Sequence, residues 1–188
     1  IGCGEGAWRA PLLKLRPKLQ YMGFDGSEYA VQRYGRTRNL HLARFGDFQW
    51  LRPCAPVDLL VCSDVIHYVP SRELRKGLPG LAELCGGVAF LEAFTAEDEF
   101  HGDHDGFQQR PARWYKRQLR EVGFRGVGSH CWLGPAFSED IAALERDLHN
   151  TQAMQELKRH LHTFKGSARV AGLAPMGQVA HGMESLLE

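Results

Sequence analysis

The chain opens on a glycine-rich turn, Ile1-Gly2-Cys3-Gly4-Glu5-Gly6, which constrains the fold more than any other stretch. Glycine adopts backbone conformations with positive φ at little cost, so alternating glycines predict a loop whose backbone can closely approach a ligand. Such a loop normally follows a strand, and only Ile1 precedes the first glycine. We therefore expect most of the leading strand to lie before residue 1, and position 1 not to be a natural start.

Downstream of the glycines, short apolar runs alternate with helix-like segments as far as Gly134-Pro135. Strands are predicted at 21–24, 41–45, 57–62, 87–92 and 127–133. Helices are predicted at 8–20, 28–34, 72–84 and 113–122, and a polar loop at 95–111. This alternation predicts parallel strand pairing in an α/β sheet.

Beyond Gly134-Pro135 the strand signal stops, and residues 138–188 are predicted to be helical. Ser138 is a candidate cap for the first of these helices. Apolar residues then recur at helical spacing in three stripes: Ile141, Leu144 and Leu148; Leu157, Leu161, Phe164 and Ala168; Met176, Val179, Met183 and Leu186. The sequence therefore predicts two units, an α/β unit at 1–134 and an all-α unit at 138–188.

Aspartates mark the ends of three predicted strands, at Asp25, Asp47 and Asp64. In an open α/β sheet, ligands bind outside the carboxyl ends of the strands. Asp25 follows the glycines by about 20 residues, the spacing at which a carboxylate reaches a ribose diol. Each aspartate alone is more often a turn or cap residue, but together with the glycines they indicate a nucleotide-type cofactor site.

These segments resemble those of class I S-adenosylmethionine-dependent methyltransferases. Residues 1–6 are similar to the family's motif I, 23–27 to the segment with the ribose-binding acid, 46–48 to the adenine-edge segment, and 58–69 to the motif IV strand. The resemblance covers about 1–134 and implies a Rossmann-like sheet that binds S-adenosylmethionine and transfers its methyl group to an unidentified acceptor. The cofactor-binding residues it implies are Gly2, Cys3, Gly4, Asp25, Gly26, Ser27, Gly46, Asp47, Phe48, Ser63 and Asp64.

The resemblance also places Asp64 and His67 beside the methyl group. Methyl transfer from a sulfonium depends largely on holding the nucleophile and the methyl group in line. Either Asp64 or His67 is a candidate catalytic base if the acceptor must lose a proton. The alternative is that Asp64 only orients the methionine end of the cofactor and that His67 only shapes the pocket.

Two other interpretations of the α/β unit stay open. Gly2-x-Gly4-x-x-Ala7 also satisfies the fingerprint of a nicotinamide dehydrogenase, although the segments around Asp47 and Asp64 favour the methyltransferase layout. The segment 101–106 contains His and Asp side chains, which are metal-ligand types. No helix fixes their spacing, so we predict a substrate lid there and no metal site.

A second motif lies in the helical unit. At helical spacing, His162 shares a face with Lys158, Lys165 and Arg169, opposite the stripe that includes Leu157. Lys165 can neutralise a phosphoryl group on the imidazole, and Gly166 leaves room for a partner surface. The alternative is a solvated basic helix face.

His162-x-x-Lys165-Gly166-Ser167 resembles the motif of the histidine phosphotransfer (HPt) domain of bacterial phosphorelays. The resemblance covers about 138–188 and implies a partial four-helix bundle that lacks its last helix. It implies His162 as phosphoacceptor, supported by Lys165 and Gly166, and a response-regulator receiver domain as partner. An alternative for the whole chain is a signalling protein in which only the HPt module is active.

Composition excludes several other classes. A net charge of +1 gives no indication of nucleic-acid binding, and no apolar run approaches the roughly 20 residues that span a bilayer. The five cysteines form no CxxC pair and are odd in number, so neither a disulfide framework nor a zinc site is indicated. We expect reduced thiols and a cytoplasmic location.

Overall fold

The computed structural model describes residues 1–99, 101–147 and 149–170. The strands are β1 (Gly23–Asp25), β2 (Leu40–Leu42), β3 (Val57–Cys62), β4 (Cys85–Leu91), β5 (Arg125–Gly128) and β6 (Cys131–Leu133). The helices are α1 (Arg9–Leu15), α2 (Glu28–Arg38), α3 (Ser71–Leu84), α4 (Ala112–Glu121), α5 (Pro135–Arg146) and α6 (Thr151–Val170), with a 3-10 helix at Phe45–Gln49. The predicted α/β class is confirmed.

The strands form two separate sheets, and residues of β1 and β3 line one cleft. β1 and β2 pair in parallel, and the second sheet has the order β3-β4-β6-β5. The cleft between β1 and β3 has a volume of about 1300 Å³. Residues 1–3 cross one end of it, because the amino group of Ile1 donates to Val61 O (2.6 Å) and Cys3 N–H donates to Phe24 O (3.1 Å). The glycine loop therefore lies at the carboxyl ends of β1 and β3.

The predicted final strand at 127–133 is wrong, because this segment contributes to two strands. β5 and β6 form a hairpin whose turn residues Ser129 and His130 have positive φ, at 48° and 61°. β6 also pairs antiparallel with β4, so the predicted parallel pairing holds for β1–β2 and β3–β4 alone among the described strands. Asn and Gly at the two central positions are the usual sequence signal of a two-residue hairpin, and this turn has neither there.

Two glycines in α3 explain how the 3-10 helix is placed. A side-chain carbon at Gly77 would clash with Phe45 O, and one at Gly80 would clash with Phe48 O. The missing side chains let the backbone of the 3-10 helix lie directly against α3. Gly77 and Gly80 therefore set the position of Phe45–Gln49 against α3.

The helical segment begins earlier than predicted. α5 starts at Pro135, with Gly134 as its N-cap, and the Ser138 hydroxyl donates to Gly134 O from within the first turn. The predicted cap at Ser138 is therefore wrong. Pro135 at the first helical position explains this start, because its fixed φ suits the first turn and it needs no partner for an N–H.

α5 and α6 pack on the second sheet. Phe137 of α5, 1% exposed, and Leu157 of α6 join Val88, Cys131 and Leu133 in one apolar cluster. Ile141 of the first predicted stripe and Leu157 of the second thus lie on helices and pack on this cluster, whereas Leu148 lies outside the described residues. The third stripe and the rest of the predicted partial HPt bundle, residues 171–188, lie outside the described residues.

Candidate functional site

The glycine loop is held to the end of β1 by a carboxylate. Asp25 Oδ2 accepts from Gly4 N–H at 2.7 Å, and Asp25 Oδ1 accepts from Ser27 N–H at 2.8 Å. Gly2, Gly4 and Gly6 all have positive φ, at 62°, 51° and 80°. The structure thus brings together the glycines and the acid that the sequence places some twenty positions apart.

This arrangement fits an adenosyl cofactor. A side-chain carbon at Gly4 would meet nothing within 4 Å, so the loop faces open space there. Each carboxylate oxygen of Asp25 accepts one backbone hydrogen bond and retains lone-pair capacity for a hydroxyl. Ser27 follows as the N-cap of α2, where its hydroxyl accepts from Ala30 N–H at 3.3 Å, and the neighbouring Gly26 is exposed.

The 3-10 helix places three further predicted residues at the same edge. Asp47 is exposed, and its Oδ2 accepts from Arg44 N–H at 2.7 Å, which closes the turn. Gly46 is buried, and Phe48 is fully buried with its ring edge-on to Phe24. The ring of Phe48 therefore serves the core, and cofactor contacts by these three residues stay a prediction.

Two predicted residues follow β3. Ser63 donates to the carboxylate of Glu92, which follows β4. Asp64 has φ 59°, in the left-handed region that few non-glycine residues adopt, and its side chain is 66% exposed. Backbone strain of this kind is concentrated at functional sites. Asp64 is thus presented at the carboxyl edge of the sheet, beside the glycine loop, where Gly2 packs against Val65.

His67 lies beneath Asp64 and is fully buried. Its Nδ1 accepts from Phe94 N–H at 3.3 Å, so the proton of the neutral ring belongs on Nε2, which lies 3.3 Å from Asp64 Oδ1. Burial lowers the pKa of His67, and the positive charge of Arg110 lowers it further, against the opposing effect of Asp64 and Glu92. The imidazole is therefore neutral, and its protonated Nε2 lies close to the Asp64 carboxylate.

The geometry assigns different positions to the two candidate bases. Asp64 reaches solvent, where an acceptor can approach, whereas the His67 ring is enclosed by Tyr68, Phe94 and Phe107. Both stay candidates for the roles predicted from the sequence. The arrangement suits Asp64 as the group that meets an acceptor and His67 as a buried group beside it.

Two residues of this site were not predicted. Glu92 follows β4, and the rule that ligands bind at strand ends could have found it. Arg110 is buried at 7% exposure, and no sequence signal marks a buried arginine in a polar loop. Among the described residues, no group of three or more His, Cys, Asp or Glu side chains could hold a metal ion, the described part of 101–106 included.

The second predicted site lies on α6. His162 is exposed, as its place opposite the apolar stripe predicts. Lys165 and Gly166 follow in the same helix, and the side chain of Lys165 lies outside the described part of the structure. Within the described ranges, no helix combines the length and apolar character needed to cross a membrane.

The comparisons with known families agree with both units. Residues 1–87 match the family described as "Methyltransferase domain", and residues 135–188 match the "Hpt domain". The chain therefore contains a methyltransferase domain followed by an Hpt domain. These matches favour the methyltransferase over the nicotinamide dehydrogenase interpretation.

Two individual proteins are similar to parts of the chain. A SAM-dependent methyltransferase from Archaeoglobus fulgidus has a similar fold, with a TM-score of 0.56 and 18% identity over 68% of this chain and 60% of that one. A gliding motility regulatory protein of Myxococcus xanthus is 53% identical over 36 residues, 19% of this chain. Those residues are 5% of that protein, so the chain spans only a small part of its curated relative.

Proposed function

We propose that the α/β unit binds S-adenosylmethionine at the glycine loop and transfers its methyl group to an acceptor at the carboxyl ends of β3 and β4. The observation that carries this proposal is the Asp25 carboxylate, which bridges Gly4 N–H and Ser27 N–H beside a loop that faces open space. The family match at residues 1–87 and the fold similarity support it.

Asp25 has the central binding role in this proposal. Its two oxygens, fixed by backbone donors, would accept from the two ribose hydroxyls, while Gly2, Cys3 and Gly4 line the path of the methionine portion. Gly46, Asp47 and Phe48 would bound the adenine side, and Ser63 and Asp64 the methionine side. S-adenosylmethionine supplies an activated methyl group on a sulfonium centre.

The residues of the protein act mainly by position. Methyl transfer gains most of its rate from holding the attacking atom in line with the methyl group. Asp64, exposed and 3.3 Å from Nε2 of a neutral His67, is the group that would take a proton from an acceptor that must lose one. The acceptor would approach from the side of β3 and β4.

Photo-crosslinking with methyl-tritiated S-adenosylmethionine tests this proposal at the residue level. We expect label in peptides that contain residues 1–27 or 63–68, and we expect excess S-adenosylhomocysteine to prevent labelling. Asp25→Ala should lose the label, whereas Asp58→Ala, at the exposed opposite end of β3, should keep it. Labelling that persists in Asp25→Ala, or that excess NAD blocks instead, contradicts the proposal.

A second activity is proposed for the helical unit, on the match to the Hpt domain. We infer that His162 accepts a phosphoryl group from the aspartate of a response-regulator receiver domain, with Lys165 neutralising its charge and Gly166 leaving room for the partner. The exposure of His162 favours this role. The motility regulatory relative supports a signalling context.

The phosphotransfer proposal is tested with a phosphorylated receiver domain. Acid-labile phosphate should appear on the wild-type protein and be absent from His162→Gln. His149→Gln is the matched control, because His149 is also exposed and precedes α6. Undiminished phosphate in His162→Gln would remove His162 from this role.

A further inference from the structure

Two loops build the acceptor side of the site. The first, residues 63–70, follows β3, and the second, residues 92–111, joins β4 to α4; we call them the Asp64 loop and the acceptor-side loop. His67 joins them twice, since its ring accepts from Phe94 N–H and its carbonyl accepts from Gln108 N–H at 2.8 Å. The position of Asp64 thus depends on how the acceptor-side loop is held.

Arg110 holds the far end of the acceptor-side loop against the Asp64 loop. Its Nη2 donates to Val69 O at 2.6 Å, and its Nη1 donates to Ile66 O at 3.3 Å. Its Nε donates to the Ser71 hydroxyl at 3.1 Å, at the start of α3. One planar guanidinium therefore fixes the backbone on both sides of His67.

The chemistry of this contact is unusual for a buried cation. Arg110 is 7% exposed, and no carboxylate forms an ion pair with it within the described ranges. Its charge faces neutral oxygens, together with the Trp114 ring at 4.5 Å. Burying a charge without an opposite partner is costly, so a fold that only needed to fill this volume would be served by an apolar side chain.

We propose that Arg110 is a positioning residue for methyl transfer, which fixes the loop on both sides of His67 so that the imidazole Nδ1 keeps accepting from Phe94 N–H and Nε2 stays beside Asp64. Its link to methyl transfer rests on the proposed function of the α/β unit. Lysine offers three donors but lacks the planar fork. Arg110→Lys should therefore keep part of the loop positioning that Arg110→Met loses.

Amide hydrogen exchange and nitrogen NMR of His67 test this role without any acceptor. In Arg110→Met, the amides of Phe94 and Gln108 should exchange about tenfold faster or more, because local opening loses hydrogen bonds to a buried loop. The His67 ring should change from one tautomer to a mixture, which a loss of stability alone would not produce. Arg110→Lys should lie between wild type and Arg110→Met in both measurements.

Arg113→Met is the matched control, because Arg113 is an exposed arginine in the following helix. Arg113→Met should leave the amide exchange rates and the His67 tautomer as in wild type. If Arg110→Met does not fold, Arg110→Lys must still show the faster exchange and the mixed tautomer. Unchanged exchange and a single tautomer in a folded Arg110 variant overturn the proposal. Failure of the wild type to bind S-adenosylhomocysteine would instead overturn the proposed function and leave these measurements interpretable.

Discussion

The carboxylate of Asp25 accepts a hydrogen bond from the backbone amide of Gly4 at 2.7 Å, across 21 positions of sequence. This bond joins the glycine loop to the end of β1, and the second oxygen of Asp25 is fixed in the same way by Ser27 N–H. Both oxygens are therefore oriented before any ligand arrives. Such preorganisation reduces the ordering that binding would otherwise require.

Replacement of Asp25 should weaken cofactor binding strongly. Asp25→Ala should lower the affinity for S-adenosylhomocysteine by about 10- to 150-fold, because hydrogen bonds to a charged group contribute roughly 1.5–3 kcal/mol. The affinity of Asp25→Asn should lie between that of wild type and that of Asp25→Ala, since the amide retains one acceptor oxygen. Calorimetric titration measures the change, and Asp58→Ala serves as the exposed control. Equal affinities for wild type and Asp25→Ala would show that this carboxylate does not bind the ribose.

Cys3 provides a chemical reporter of the glycine loop. Burial raises the pKa of Cys3, as it does for Cys62, Cys85 and Cys131, whose pKa values it raises to about 11, 12 and 11. Cys54 is exposed. We expect iodoacetamide to modify Cys54 first and half-buried Cys3 more slowly, with the remaining three resistant. Saturating S-adenosylhomocysteine should protect Cys3 and leave Cys54 unaffected. No protection of Cys3 would place the cofactor elsewhere.

The features that could be predicted from the sequence are those that depend on local patterns. The strand at 57–62 was predicted at its observed limits because its apolar run ends at Ser63-Asp64. The convergence of Asp25 with the glycine loop followed from the general rule that strand ends meet at one edge of the sheet.

The features that were missed depend on tertiary contacts. The imidazole of His67 is enclosed by residues of the acceptor-side loop, so its burial and tautomer have no signal in the Asp64 loop itself. The hairpin between β5 and β6 has a turn at Ser129-His130 without the usual residues, and pairing with β4 stabilises it from outside. The interaction of α6 with the sheet was missed because an apolar stripe does not specify its partner.

The neutral state of His67 predicts a pH dependence of stability. Its pKa is lowered in the folded protein, so the unfolded state binds a proton first as the pH falls. The stabilisation is fully present above the ordinary histidine value of about 6.5 and is lost as the pH falls through the lowered pKa of the folded state. Urea unfolding at a series of pH values should show that the free energy of unfolding falls more steeply with decreasing pH in wild type than in His67→Gln. Parallel pH profiles would show that the ring is protonated equally in both states.

The packing of α6 on the sheet predicts a shared core. Leu157 is 5% exposed and contacts the apolar cluster of β4 and β6. Leu157→Ala should reduce the free energy of unfolding by about 2–5 kcal/mol, the range for deleting a buried leucine side chain. The exposed neighbour Gln155 serves as control, since Gln155→Ala should change the free energy of unfolding little. If Leu157→Ala leaves the unfolding of the α/β unit unchanged, the two units do not share this core.

Calorimetric titration of the wild-type chain with S-adenosylhomocysteine, and separately with NAD, distinguishes a methyl-donor site from a nicotinamide site. We expect saturable binding of S-adenosylhomocysteine at one site per chain and no saturable heat with NAD. Saturable binding of NAD without binding of S-adenosylhomocysteine would contradict the assignment of the glycine loop and Asp25 to a methyl-donor site.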